Sequence, residues 1–201
     1  RHYYLPNLLR GISSFPKILE STRFSIFIGK KTRHYNSSRH HSQENDTTLV
    51  TAFFATGTGK HTPDEYTEWM ENLLGQGETP VVIFTQPEFQ ELMSTARDGR
   101  PTEFRIYEEI WSVPWLHEPH FLNKSYQEMH DLDPEKDNLT PELYAVWNSK
   151  PWFLQTVSQL NPFNSTYFYW MDVGSVREAG IVLNNFPSLE RSSQVFGEDA
   201  R

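Results

Sequence analysis

The stretch "TLVTAFFATGTGKHTPDEYTEWMENLLG", Thr48 to Gly75, decides the fold. Its first seven residues form a nearly continuous apolar run rich in β-forming residues, which is typical of a strand buried on both faces. After a polar loop, Thr62, Pro63 and Glu65 supply the N-cap, the first-turn proline and the capping box of a helix. Apolar residues then recur at helical spacing until Gly75. The stretch therefore predicts a strand, a loop and an amphipathic helix.

The loop of this stretch resembles a phosphate-binding loop because a Gly-Lys pair follows an apolar run. A P-loop reads G-x-x-x-x-G-K-[ST], and its last residue supplies a hydroxyl for Mg²⁺. Here Phe54 stands at the position of the first glycine, and His61 stands at the position of the hydroxyl. The sequence therefore does not support a P-loop NTPase. The loop still joins a predicted strand to a predicted helix, where parallel sheets bind their ligands.

The strand and helix pattern then repeats. The run "VVIFT" (81–85) predicts a second buried strand, and Thr85 with Glu88 predicts the capping box of a second helix that ends near Gly99. The run "TEFRIY" (102–107) predicts a third strand. Alternating strands and helices predict an α/β fold of βαβ units, with a mainly parallel central sheet and flanking helices.

The second half of the chain is less regular before the pattern returns. Residues 108–139 show no clear periodicity, and we interpret them as irregular. A helix is predicted to begin at Thr140, and Pro151 is expected to end or kink it. A second helical piece is predicted to run from there to about Leu160. The run "TYFYWMDVG" (166–174) predicts the most apolar strand, which carries Asp172 near its end.

Composition restricts both the function and the organisation of the chain. The net charge of −8 argues against a nucleic-acid partner, and the absence of cysteine excludes thiolate chemistry and disulfides. Residues 1–46 are basic and end in a polar run rich in His, Ser and Asn, so we interpret them as a linker-like or stem-like segment of low order. Residues 47–201 form the predicted α/β domain. No run is apolar enough to span a membrane.

Two features bear on the compartment and on completeness. The sequence begins with Arg1 and ends soon after the last predicted strand, so we interpret the chain as a fragment whose C-terminal part is incomplete. N-x-[ST] sequons favour the secretory pathway, in the Golgi or ER lumen, over the alternative of the cytoplasm. These sequons lie at Asn36, Asn45, Asn123, Asn138 and Asn164.

The carboxyl ends of the predicted strands are the expected place for chemistry, because loops and helix N-termini meet there. Three such ends carry polar groups: the loop after Phe54, Thr85, and Asp172. Asp172 follows five large apolar residues and precedes Val173-Gly174. It either caps the following turn or serves a ligand, and its position leaves both interpretations open.

The strings "TLVTAFF", "VVIFT" and "TPELYAVWNSKPWFLQTVSQLNPFNSTYFYWMDVGSVR" (140–177) resemble the HtrL/YibB-like proteins, which belong with the glycosyltransferases of the A-type fold. The similarity covers roughly residues 47–187 and is densest over 140–177. The resemblance implies a glycosyltransferase A-like, Rossmann-like fold and a nucleotide-sugar donor.

The resemblance also implies a role for Asp172. In the A-type fold the equivalent strand usually ends in Asp-x-Asp, whose carboxylates hold Mn²⁺ or Mg²⁺ on the donor diphosphate. Here the match is Asp172-Val173-Gly174, so the second carboxylate is absent. Either Asp172 holds the ion with waters, or the site is free of metal and Lys150 or Arg177 neutralises the diphosphate.

Further residues are implied to contact the substrates. Thr51 and Thr85 are expected to line the pocket of the nucleobase and ribose, and Asn148 either contacts the donor sugar or caps the helix end. Trp111 and Trp115 lie in the irregular stretch and are candidates for stacking on sugar rings.

Two other motifs have metal-binding residue types in a poor context. Asp131-Leu132-Asp133 is a literal Asp-x-Asp, but no apolar strand precedes it, and we interpret it as a solvated loop. His117 and His120 flank Pro119, which breaks the helix that would align their rings. We interpret both as structural or loop histidines.

The sequence thus predicts a glycosyltransferase that moves a sugar from a nucleotide-sugar donor to a glycan or protein acceptor. The alternative is a catalytically silent nucleotide-sugar or glycan-binding protein on the same fold, which the missing second carboxylate favours. Turnover of the donor distinguishes the two functions.

Overall fold

The computed structural model describes residues 19–21, 24–26, 28–30, 46–57, 61–117, 123–183 and 186–196. The strands are β1 (Leu19–Ser21), β2 (Phe24–Ile26), β3 (Ile28–Lys30), β4 (Thr47–Phe53), β5 (Val81–Thr85), β6 (Thr102–Ile106) and β7 (Tyr167–Trp170). The α-helices are α1 (Pro63–Leu74), α2 (Pro87–Arg97), α3 (Asn123–Leu132), α4 (Pro141–Leu160) and α5 (Leu189–Phe196). Short 3-10 turns lie at Ile110–Ser112, Pro114–His117, Lys136–Asn138 and Val173–Ser175. Within these ranges, no helix has the length and hydropathy needed to cross a membrane.

The central sheet has five strands in the order β3-β7-β4-β5-β6. Strands β7, β4, β5 and β6 are parallel, and β3 is antiparallel to β7. The register places Thr51 beside Ile83 and Val50 beside Trp170. The predicted α/β class, with a mainly parallel sheet and flanking helices, is confirmed.

Helices cover both faces of the sheet. On one face, α1 and α2 pack in a cluster that includes Met70, Met93 and Ile83. On the other face, α4 packs in a cluster that includes Phe153 and Phe84. Neighbouring residues of β5 point to opposite clusters because side chains alternate along a strand, and Ile83 and Phe84 are both 0% exposed. The strands are therefore buried on both faces, as their continuous apolar runs predict.

The beginning of α1 confirms the predicted capping box. The backbone N–H of Glu65 donates to Thr62 Oγ1 at 3.2 Å, and the backbone N–H of Thr62 donates to Glu65 Oε2 at 2.7 Å. Pro63 occupies the first turn, where its missing N–H needs no partner. At the other end, the backbone N–H of Gly75 donates to the carbonyl oxygen of Glu71 at 2.8 Å. The local sequence alone therefore fixes both ends of this helix.

The predicted capping box of the second helix is wrong. Thr85 is the last residue of β5, and Gln86 is the N-cap of α2 without a side-chain bond to the helix. The sheet holds Thr85 in extended conformation, and Pro87 then starts the helix. Gln86 instead ties two loops together. Its Oε1 accepts from the backbone N–H of Ala55 at 2.6 Å, and its Nε2 donates to the carbonyl oxygen of Glu108 at 3.2 Å.

One prediction for the second half of the chain is also wrong. Residues 108–139 are not wholly irregular, because α3 lies within them and buries Tyr126. Helix α4 runs through Pro151 as one helix and ends at Leu160, where the second helical piece was expected to end. Ser149, Lys150 and Phe153 are buried on both sides of this proline, so tertiary packing holds the helix across the missing hydrogen bond.

Part of the segment interpreted as a linker or stem contributes strands. Strand β3 extends the sheet, with Ile28 beside Tyr169, and β1 pairs with β2 in an antiparallel hairpin. The rest of residues 1–45, including the polar run rich in His, Ser and Asn, lies outside the described residues.

The strand order creates a topological switch point between β4 and β7. The chain moves outward from β4 through β5 to β6, then crosses the other face through α3 and α4 and returns as β7 on the opposite side of β4. At such a point the connections diverge to opposite faces, which makes room for a ligand at the carboxyl ends of the two strands. We call residues 54–57, 61–62 and 171–177 the switch-point edge.

A buried arginine fixes the opposite, amino-terminal edge of the sheet. Arg97 is 2% exposed, and its Nη atoms donate to the carbonyl oxygens of Leu74, Thr79 and Pro101 at 3.1–3.2 Å. Its Nε donates to Thr102 Oγ1 at 2.9 Å. Burial disfavours the charged form and, with a smaller effect of neighbouring charge, lowers the pKa of Arg97 to about 10. The guanidinium thus joins the end of α1 to the starts of two strands.

We expect Arg97→Met to lower the free energy of unfolding by about 3 kcal/mol, because several buried carbonyl groups lose their donor. Urea denaturation followed by circular dichroism measures the change. The matched control is Arg191→Met on the exposed side of α5, with an expected effect below about 0.5 kcal/mol. Equal effects of the two substitutions would contradict the role of Arg97.

Candidate functional site

Asp172 lies at the switch-point edge, just beyond the last residue of β7. Its side chain does not cap the following 3-10 turn, whereas its backbone carbonyl oxygen accepts from the N–H of Ser175 at 2.9 Å. The carboxylate Oδ1 accepts instead from Lys150 Nζ at 2.6 Å and from Trp170 Nε1 at 3.0 Å. Of the two interpretations left open by the sequence, the turn cap is therefore excluded.

Lys150 reaches Asp172 from the middle of α4. Its side chain is only 10% exposed, whereas that of Asp172 is 41% exposed. Lys150 Nζ also lies 5.8 Å from the ring centroid of Trp170, and this ring stacks on Phe153 with centroids 5.9 Å apart. Burying an ammonium group is costly unless it is paired. The pair with Asp172 therefore distinguishes Lys150 from an ordinary surface lysine.

Arg177 lies at the same edge but contacts α1. Its Cζ is 4.4 Å from the ring centroid of Trp69, and its Nε donates to the carbonyl oxygen of Gly174 at 3.0 Å. Trp69 is 5% exposed and packs tightly on Gly174, where an added Cβ would lie 3.1 Å from Trp69 Cε3. The close approach of the turn to the indole thus favours glycine at this position.

The pKa of Tyr66 reflects both charged groups. Burial raises the pKa of its hydroxyl, the positive charge of Arg177 opposes this shift, and the negative charges of Glu65 and Asp172 add to it. The hydroxyl therefore lies within electrostatic range of Arg177 and Asp172 together. We call Lys150, Asp172, Tyr66 and Arg177 the switch-point site.

His61 also adjoins this site. In the sequence, it was informative only as the residue that breaks the P-loop motif. Its ring contacts that of Trp69 with centroids 4.7 Å apart, and its Nδ1 lies 3.6 Å from Glu65 Oε1. The signal that could have identified it was its place in the loop after a buried strand. Its partner Trp69 carried no such signal, because an indole on the apolar stripe of a helix indicates core packing.

The predicted sugar-contacting residues gather around the other side of α4. Asn148 Nδ2 donates to the hydroxyl of Tyr126 at 3.4 Å, and the ring of Trp111 lies 5.5 Å from that of Tyr126. Trp115 Nε1 donates to Ser149 Oγ at 2.8 Å. Both indoles are half-buried against the core. Asn148 and Trp111 thus meet at Tyr126, and Trp115 is bound to the neighbouring residue of α4, Ser149.

Thr51 and Thr85 are buried on the face covered by α1 and α2. They are 1% and 0% exposed, and their Oγ1 atoms have no hydrogen-bond partner in the described part of the chain. Thr51 lines a cavity of about 10 Å³ together with Arg97, which is room for about one water molecule. The cavity lining includes neither Asp172 nor Lys150. In the described conformation, these threonines are closed off from solvent. They could line a nucleoside pocket only if the structure opened around them.

Two polar side chains fix the loop after β4. Gln86 binds Ala55, as described above, and Thr140 Oγ1 donates to the carbonyl oxygen of Thr56 at 2.9 Å. Thr140 also caps α4 by accepting from the N–H of Leu143 at 3.3 Å. The first part of the switch-point edge is therefore held by α2 and α4. Residues 58–60 of the same loop lie outside the described residues.

At the expected metal site, Asp172 is a single carboxylate. Throughout the described part of the chain, no group of three or more His, Asp or Glu side chains is arranged to hold a metal ion. Oδ1 of Asp172 already accepts two hydrogen bonds. His117 Nε2 contacts the carbonyl oxygen of Trp111 at 2.7 Å, and His120 lies outside the described residues. That Asp172 holds Mn²⁺ or Mg²⁺ stays a prediction.

The literal Asp-x-Asp has a structural explanation. Asp131 lies in the last turn of α3. Asp133 accepts from the N–H of Glu135 at 2.7 Å and from the hydroxyl of Tyr144 at 2.7 Å. These two bonds lower the pKa of the Asp133 carboxyl, in that order of importance. The motif therefore fastens the connection from α3 to α4.

We expect Asp172→Asn to lower the free energy of unfolding by about 2 kcal/mol, because the buried ammonium of Lys150 loses its counter-ion. In a double-mutant cycle with Lys150→Met, the expected coupling energy exceeds about 1 kcal/mol. Urea denaturation of the four proteins measures it.

The control cycle uses Lys124→Met and Glu128→Gln. This pair is 3.9 Å apart, and its side chains are 84% and 66% exposed, so its expected coupling is below about 0.5 kcal/mol. A coupling between Lys150 and Asp172 as small as that of the control would show that the pair contributes nothing to stability.

Comparison with known proteins assigns the chain to a family. A family model described as "Bacterial protein of unknown function (HtrL_YibB)" matches residues 45–188. No match was found among curated proteins or among solved structures. The matched range covers more than half of the 201 residues and includes every residue of the switch-point site. The resemblance of the sequence to the HtrL/YibB-like proteins is thereby confirmed, and the chain belongs to the HtrL/YibB family.

Proposed function

We propose that this protein is a glycosyltransferase that moves a sugar from a nucleotide-sugar donor to a glycan or protein acceptor. The observation that carries the proposal is the buried Lys150 held 2.6 Å from Asp172 at the switch-point edge. Doubly wound α/β proteins bind nucleotides at such an edge. The likeness of residues 140–177 to the HtrL/YibB-like proteins, which implies an A-type glycosyltransferase fold, supports the same ligand class.

Asp172 is the member of the pair that a ligand meets first, because it is four times as exposed as Lys150. Its Oδ1 is held by Lys150 and Trp170, so the orientation of the carboxylate is fixed. Within the described residues, its Oδ2 has no hydrogen-bond partner and can accept from a ligand hydroxyl. In the proposal, Asp172 binds hydroxyl groups of the donor's sugar or ribose.

The cations of the site act on the leaving group. During transfer, the bond between the anomeric carbon and the phosphate oxygen breaks, and its electron pair stays on the nucleoside diphosphate. The acceptor oxygen forms the new bond to the anomeric carbon and loses its proton to a base. The transition state resembles an oxocarbenium ion, and negative charge grows on the diphosphate. Lys150 and Arg177 stabilise that charge by electrostatic attraction.

A catalytically silent nucleotide-sugar or glycan-binding protein is the second candidate. It is favoured by the lone carboxylate at the strand end, since Gly174 stands where a second carboxylate would be expected. In either function, Asn148, Trp111 and Trp115 are proposed to contact a sugar or glycan.

A secretory compartment belongs to the same proposal. The sequon residues Asn138 and Asn164 are exposed, which is compatible with glycosylation. Asn36 and Asn45 lie outside the described residues.

We expect a matching nucleotide-sugar, present at about a hundredfold excess over its Kd, to raise Tm by about 5 °C. We also expect slow release of the free nucleoside diphosphate from the same donor. Persistence of both effects in EDTA would show that protein cations neutralise the diphosphate, and their loss would show that Asp172 holds a metal ion. A thermal-shift panel of nucleotide-sugars, followed by chromatography of the products, measures them.

Lys150→Met is expected to abolish product release, whereas the exposed Lys124→Met on α3 leaves it unchanged. Binding without product release would support the silent binding protein. A panel in which no nucleotide-sugar binds would contradict both candidate functions.

A further inference from the structure

We propose that Arg177 and His61, held on the ring of Trp69, form an oxyanion site that binds a phosphate group without a metal ion. The inference deepens the proposed function and rests on it for the identity of the natural ligand, which is the diphosphate of a nucleotide-sugar.

Arg177 has a fixed position and free donors. The contact of its guanidinium with the Trp69 ring and the bond from Nε to the carbonyl oxygen of Gly174 hold the planar group in place. Its terminal nitrogens have no hydrogen-bond or ion-pair partner among the described residues. The side chain is exposed, so these N–H groups are available to a ligand. A planar guanidinium with free donors suits bidentate binding of phosphate.

Arg177 has no carboxylate partner among the described residues. Glu65 accepts from the backbone N–H and the hydroxyl of Thr62, and it faces His61. Oδ1 of Asp172 is paired with Lys150. The positive charge of Arg177 is therefore available to an anionic ligand.

His61 lies on the same indole as Arg177. Its ring meets the Trp69 ring nearly edge-on, at an interplanar angle of 73°, and Glu65 lies 3.6 Å from its Nδ1. Within the described residues, Nε2 has no partner and can donate to a phosphate oxygen when it carries the proton. The 5% exposed Trp69 is a rigid support for both groups, since Gly174 packs tightly against its ring.

The test uses inorganic pyrophosphate as the probe, with the full chain in EDTA. Isothermal titration calorimetry measures Kd for the wild type, Arg177→Gln and His61→Gln. The expected weakening is about tenfold or more for Arg177→Gln and about threefold for His61→Gln, because each loses one set of donors to the phosphate. Arg191→Gln, an exposed arginine on α5, is the matched control and is expected to bind as the wild type does.

A second readout locates the anion. The indole N–H signal of Trp69 in a ¹⁵N correlation spectrum, assigned with Trp69→Phe, is expected to shift on addition of pyrophosphate. The indole signal of Trp147, which is 44% exposed on α4, is expected to stay in place. Unchanged Tm values of the variants show that they fold normally.

The outcomes separate this inference from the proposed function. Pyrophosphate binding that Arg177→Gln weakens supports the oxyanion site, even if no nucleotide-sugar is turned over. Turnover of a nucleotide-sugar that Arg177→Gln leaves unchanged would overturn the oxyanion site and leave the transfer reaction standing. Absence of pyrophosphate binding to the wild type in EDTA would also overturn it.

Discussion

The position of β7 beside β4 is the constraint on which the candidate site depends. The backbone N–H groups of Thr166 and Tyr167 donate to the carbonyl oxygen of Asp46, and that of Met171 donates to the carbonyl oxygen of Val50. These bonds set the parallel register and bring the end of β7 next to the loop that follows β4. Because β5 lies on the other side of β4, the connections diverge there and a switch point results. Every group of the proposed site is placed by this arrangement.

The alternation of side chains along β7 decides which layer each group meets. Trp170 belongs to the cluster under α4, and Met171 belongs to the cluster under α1. The next residue, Asp172, turns back toward α4 and meets Lys150. The chain then turns toward α1, where Arg177 rests on Trp69. The site is therefore assembled from both helical layers, with one cation supplied by each side of the sheet.

The sequence predictions are confirmed where the deciding interactions join residues close together in the chain, and are wrong where they join distant ones. The capping box of Thr62 and Glu65 is confirmed because its hydrogen bonds lie within one helical turn. The similar spacing of Thr85 and Glu88 is misleading because pairing with neighbouring strands keeps Thr85 in the sheet. Pro151 lies inside α4, since buried neighbours outweigh one lost backbone bond. Helix α3 has too few apolar residues for a clear periodic signal, and packing on α4 stabilises it.

The sequence by itself determined the alternation of strands and helices, the burial of the strands, and the place of Asp172 beyond a strand end, because periodicity and capping are local properties. Tertiary structure alone decided that Lys150 pairs with Asp172 and that Arg177 lies on Trp69. It also decided that Thr51 and Thr85 are buried on the face covered by α1 and α2. These contacts join residues far apart in the chain. They depend on the order of strands in the sheet, which no local pattern of residues encodes.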